Sequence, residues 1–116
     1  MSLERYLELN GKYLQEAEQM IEKGDFVQAS EKLWGATAEI IKAVAAKRGV
    51  SLGTHRSLGE FVTTLQKENP TWDLIVDYQV ANSLHMNFYE DHLPKDHVLK
   101  AAEIVKDFVQ RLRTLI

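Results

Sequence analysis

The segment GDFVQASEKLWGATAEIIKAVAAK, residues 24–47, decides the fold. Gly24 stands where a left-handed helix cap is wanted, and Asp25-Phe-Val-Gln28 fits a capping box that opens the next helix. From about Phe26 to Lys47, Phe26, Ala29, Leu33, Ala36, Ile40 and Val44 fall on one side of a 3.6-residue repeat, and Trp34, Ala38, Ile41 and Ala45 fall on another. A helix apolar on two sides must be packed on two sides, so this one is expected at the centre of the molecule. Gly35, Ala36, Ala43 and Ala46 allow close backbone approach, and tight packing is the expected compensation for the cost of up to about 1 kcal/mol that a helical Gly carries.

Outward from this segment the same period continues. Before it, Leu3, Leu7, Leu14, Ala17 and Ile21 mark helix 1, which forms an antiparallel hairpin with helix 2 across Gly24. After it, a loop from Gly49 to Arg56 leads to a short helix 3, for which Ser57-Leu-Gly-Glu60 reads as a capping box and Pro70 as the stop. Asn69-Pro70 reads as the cap and first position of helix 4, carrying Trp72, Ile75, Val76, Tyr78, Ala81 and Phe88. Pro94 starts helix 5, with a stripe through Val98, Ala101, Ala102, Val105, Phe108, Val109, Leu112 and Leu115. No strand signal competes. The expected fold is all-α, an antiparallel up-and-down bundle of four long helices and one short one, in a single domain over 1–116.

Composition bounds the function. Hydrophobic residues at 45% and charged residues at 27% are globular values, with no Pro, Gly or Ser tract to act as a linker. The chain has no Cys, hence no disulfide framework and no thiolate chemistry. Its start, MSLERYLELNGKYLQEAEQ, is charged where a signal peptide would need an apolar run, and no stretch approaches the roughly 20 apolar residues of a membrane span. A soluble, cytoplasmic protein with no membrane partner is expected. Fourteen basic and seventeen acidic residues give a net charge of −3, which lacks the overall basic footprint of a dedicated nucleic-acid binder. Charge is nevertheless uneven: between Glu39 and Glu60 there is no acidic residue, while Lys42, Lys47, Arg48, His55 and Arg56 all fall there. Lys47 and Arg48 can simply complement a helix C-terminus. Alternatively, with Thr54, His55 and Arg56, they form a corner that meets a phosphate, completed by amides at the start of helix 3.

The second candidate site is Asn82-Ser-Leu-His-Met-Asn-Phe-Tyr-Glu-Asp91, which places Asn82, His85, Asn87, Tyr89 and Glu90 in an otherwise ordinary helical pattern. The bland reading makes His85 a hydrogen-bonded histidine at a core edge, with Tyr89 one turn on as its partner, and the asparagines satisfied groups at a helix contact. A metal site is not expected, because His85 and His92 lie about 10 Å apart along a helix and no His-x-x-x-His or Glu-x-x-His pair occurs. No Walker or Rossmann glycine pattern and no supported serine-nucleophile arrangement is present, so no cofactor is expected.

Gly24-Asp-Phe-Val-Gln-Ala-Ser-Glu-Lys-Leu-Trp34 is similar to a tetratricopeptide hairpin, but no second copy follows at the required spacing of about 34 residues. Together with Ala36-Thr-Ala-Glu-Ile-Ile-Lys-Ala43, the loop at Thr54-His55 and Leu84-His-Met-Asn-Phe-Tyr-Glu90, it resembles the HEPN superfamily over the whole chain, most closely the short archaeal PaREP-type branch. That resemblance implies a homodimer. Active HEPN domains are metal-independent endoribonucleases with an arginine, a histidine four to six residues later and often a tyrosine two beyond. With Tyr89 on the family tyrosine, Asn87 stands at the histidine and Asn82 at the arginine, and no arginine occurs between Arg56 and Arg111. Metal-free RNA cleavage needs a base at the 2′-hydroxyl and a cation for the phosphate, and asparagine supplies neither. The expected function is a non-catalytic dimeric module binding RNA, a nucleotide or a protein partner. The alternative is a divergent, toxin-type endoribonuclease with His85 as base.

Overall fold

A computed structural model describes all residues, Met1–Ile116, as five helices without strands: α1 Leu3–Glu22, α2 Phe26–Lys47, α3 His55–Glu68, α4 Leu74–Glu90 and α5 Lys95–Arg113. The expected all-α bundle is present. Helix α2 is its axis, touching every other helix and burying Leu33, Ile40, Ile41 and Val44 completely. Against it pack Leu65 of α3, Leu74 and Leu84 of α4, and Val105, Phe108 and Leu112 of α5. The close approach expected at Gly35 is taken by Tyr13 of α1, whose ring would lie 3.0 Å from a Cβ at that position. No helix is long and apolar enough to cross a membrane.

The ends of the helices follow from local chemistry. Gly24 has φ +77°, and the amides of Gly24 and Asp25 return to the carbonyls of Ile21 and Met20, which satisfies the end of α1 and reverses the chain. Asp25 then caps α2 by accepting from the Gln28 amide at 3.1 Å. Gly49, φ +72°, repeats the same turn after α2.

Two expected starts are displaced. Helix α3 begins at His55, not after Ser57: Thr54 is its cap, its hydroxyl accepting from the Ser57 amide at 3.0 Å while Ser57 Oγ accepts from the Thr54 amide at 3.0 Å. Ser57 is therefore the third residue of the box and not its first. Helix α4 begins at Leu74 and not at Pro70, because Asn69 closes α3, its side chain donating to the Leu65 carbonyl, and the cap of α4 comes from elsewhere. Gln66 Oε1, on α3, accepts from the Ile75 amide at 3.1 Å, while Gln66 Nε2 donates to the carbonyls of Asn69 and Trp72.

Candidate functional site

Helix α2 presents Glu31, Trp34, Ala38 and Lys42 at intervals of three and four, a single face. The Thr54–Ser57 box fixes His55 as the first residue of α3 over this face, and Tyr78 of α4 ties it there by donating to the His55 carbonyl at 3.3 Å. Burial pushes the Tyr78 hydroxyl above its usual range, so it remains a donor. About two helical turns further along α4, His85 completes the corner. The His55 and His85 rings lie 5.1 Å apart, and each sits about as far from the Trp34 ring, at 5.1 and 5.2 Å. Trp34 is only 6% exposed, so it is a floor and not a stacking platform for a ligand.

His85 is held by Glu31, its Nδ1 lying 2.9 Å from Oε1. A carboxylate accepts here, so Nδ1 carries the proton and Nε2 is left for another partner. Tyr89 meets His85 edge-on at 5.4 Å and is 72% exposed. The Tyr89 contact expected from sequence is thus ring packing, and the hydrogen bond goes to Glu31 instead. Beside the His55 imidazole a cavity of about 300 Å³ is lined by Trp34, Ala38, Lys42, Leu52, Thr54 and His55, among others. A second, of about 320 Å³, lies toward Tyr13, Glu31 and Gly35 and shares Trp34, Ala38 and Lys42 with the first.

The other candidate residues are placed differently. Asn87 is fully buried: Nδ2 donates to Ser30 Oγ at 3.0 Å, and Oδ1 accepts from the His92 and Leu93 amides at 2.8 and 2.7 Å. It fastens the turn after α4, where Asp91 adopts φ +46°. Asn82 is half-buried on α4, and Glu90 is exposed, 3.5 Å from His92 Nδ1. The cations of the basic stretch are mostly engaged. Arg48 grips Glu68 through two hydrogen bonds of 2.7 and 3.0 Å, Arg56 Nε lies 2.7 Å from Glu60, and Lys47 donates to the Ile116 carbonyl. No trio of His, Cys, Asp or Glu converges as a metal ion would require. Sequence reasoning did not single out Glu31. Its spacing to Trp34, Ala38 and Lys42 was the available signal.

The fold is that of a small helical-bundle protein, with two imidazoles paired over Trp34. The family model for the archaeal PaREP1/PaREP8 family matches residues 5–109, and the chain belongs to that family. It is similar to a protein of Sulfolobus solfataricus known from its crystal structure, with 26% identity and a TM-score of 0.83 over 92% of this chain and 95% of that one. No curated protein matches the chain.

Proposed function

We propose that this is a HEPN-like, cytoplasmic helical module that works as a homodimer and binds the phosphate-bearing unit of a nucleotide or RNA at the His55–His85 corner, without catalysis. The observation that carries the reading is that two imidazoles from different helices lie 5.1 Å apart, and one of them, His55, lines a cavity that also holds Lys42. Imidazole and ammonium donors converging on an open cavity suit an anionic ligand with a planar part. Titration with a mononucleotide and with single-stranded RNA, followed by backbone NMR shifts, tests it. Shifts clustered at the corner and lost in His55→Ala with His85→Ala support the reading, and no shifts at millimolar ligand overturn it.

Dimerisation is supported by α4. Ile75, Gln79, Asn82, Met86 and Tyr89 recur at intervals of four and three, the repeat of a helix–helix seam, and Ile75, Met86 and Tyr89 are 40, 48 and 72% exposed. Because Met86 and Tyr89 flank His85, a second copy seated on this stripe would border the corner.

The second reading is a metal-independent endoribonuclease, favoured by the Glu31–His85 pair facing a second imidazole, a base and an acid in one place. Against it, Arg56 and Lys47, which could have replaced the missing arginine, are engaged with Glu60 and Ile116. It requires single-stranded RNA cleavage that disappears in His85→Ala. Undetectable cleavage at high protein concentration removes it.

A further inference from the structure

The distribution of free charge at the corner discriminates between a polyanionic strand and a single nucleotide. A strand needs several available cations along its path, each neutralised phosphate adding about 0.7 to the logarithmic salt slope for single strands. Arg48, Arg56 and Lys47 are each paired with an oxygen of the protein itself, and none of them lines the cavity beside His55. Lys42 is not so committed. Its ammonium stands 3.7 Å from Glu39 Oε1, a loose pairing, and it lines both cavities.

The first cavity is apolar on its floor, with Trp34, Ala38, Leu52 and Leu58, and polar at its rim, with Lys42 and His55. Its volume, about 300 Å³, lies at the small end of ligand sites. The rim also includes the start of α3, where the box takes the Thr54 and Ser57 amides and leaves those of His55 and Arg56, and the helix dipole favours an anion. His55 is exposed, so one of its faces can receive a planar ring. A site with one available ammonium, one accessible imidazole and an apolar floor matches one phosphate and one base.

We propose that the cavity between α2 and the 52–58 segment binds a nucleoside monophosphate, its phosphate at Lys42 and its base against His55 and Leu52. This rests on the nucleotide-binding reading above and narrows it from RNA to a mononucleotide. Lys42 is then the residue that reads charge, and Ala38 the one that leaves room beside it.

Calorimetric titration with AMP, adenosine, inorganic phosphate and a single-stranded RNA octamer separates the possibilities, using the wild-type chain, Lys42→Met and Lys42→Arg. The expected result is AMP binding with a Kd below about 1 mM, adenosine and phosphate each at least about tenfold weaker, and a salt slope no greater than about 1. Lys42→Met weakens AMP about tenfold or more without altering adenosine binding or helix content, and Lys42→Arg restores most of the affinity. An octamer that binds more tightly than AMP, with a slope of about 2 or more, and that ignores Lys42→Met overturns the mononucleotide assignment while leaving phosphate binding at the corner intact. Absence of binding by AMP and by RNA overturns both.

Discussion

His85 Nδ1 lies 2.9 Å from Glu31 Oε1, a contact between α4 and α2 across 54 residues of sequence that fixes the imidazole in one orientation and one tautomer. Neutral histidine in water prefers the proton on Nε2, whereas an acceptor at Nδ1 reverses the preference. The neutral form of His85 is therefore expected as the Nδ1–H tautomer, with characteristic ¹⁵N shifts, and Glu31→Ala is expected to return it to the Nε2–H form. Unchanged ring-nitrogen shifts in that variant would show that Glu31 does not orient the ring. The same variant should weaken ligand binding at the corner, since Nε2 is then no longer held toward its partner.

Asn87 is the polar residue of α4 whose loss should be felt most in folding. Its Oδ1 receives two backbone amides and its Nδ2 reaches Ser30, so Asn87→Ala strips three hydrogen bonds and leaves a buried pocket behind. The expected cost is about 2 kcal/mol or more in urea unfolding. Asn82→Ala, at a half-buried position on the same helix, should cost under about 1 kcal/mol. Equal costs for the two would contradict the roles given to them.

This contrast also marks what sequence can and cannot convey. Helix α2 was legible to its ends because 22 residues of two-sided apolar pattern are bounded by Asp25 on one side and Gly49 on the other. The start of α3 was not, because Ser57-x-x-Glu60 has the usual Ser/Thr-x-x-Glu form of a capping box, whereas the box that forms, Thr54-x-x-Ser57, uses a serine in place of the glutamate. The start of α4 was hidden for another reason: its cap, Gln66, belongs to α3 and acts through space. At the corner, His85 stood out in the polar cluster of α4 and His55 in the polar, basic loop before α3. Their approach to 5.1 Å depends on how α3 and α4 cross over Trp34, which no local pattern records. Glu31 read as an ordinary surface carboxylate, and Asn87 read as a site residue because sequence does not distinguish an open groove from a sealed contact.

Glu39 gives a pH signature. Burial raises its carboxyl above the ordinary 4.5, with the Lys42 charge opposing, and one of its oxygens is buried without a partner. A raised acid binds its proton more tightly in the folded than in the unfolded state, so its contribution is most favourable below about pH 4.5 and is lost as pH rises through the folded value. Glu39→Gln removes that loss. The variant should match the wild type near pH 4 and exceed it at pH 7 by up to about 1 kcal/mol, less whatever the loose Lys42 pair contributes. A stability difference that does not change between these pH values would mean that the carboxyl is not held in this way.

The α4 stripe makes the oligomeric state a matter of single residues. Met86 is 48% exposed and lies midway between Asn82 and Tyr89 along the seam. Met86→Lys places a charge where two copies would meet, and sedimentation should show the dimer shifted to monomer with helix content unchanged. A wild-type chain that sediments as a monomer at about 100 µM excludes the seam as a stable interface, because useful homodimers bind well below that.

The engaged arginines predict a gain of function. Arg48 and Arg56 are neutralised by Glu68 and Glu60, both exposed, so these pairs add little stability and their carboxylates can be removed cheaply. The guanidinium beside Glu68 holds that carboxyl below its ordinary range, which identifies Glu68 as a negative charge at neutral pH and therefore a true competitor for any phosphate. In Glu60→Gln with Glu68→Gln, the Arg56 guanidinium beside His55 in the chain and the Arg48 guanidinium at the far end of α3 become available without any residue of the cavity being changed. RNA octamer affinity should rise several-fold, and its salt slope should steepen by about 0.7 for each arginine that reaches a phosphate. Mononucleotide affinity, which depends on Lys42 inside the cavity, should change much less. If octamer binding and its salt dependence both remain as in the wild type, the basic stretch is not adjacent to the ligand path, and the cations of residues 47–56 serve only the ends of their helices.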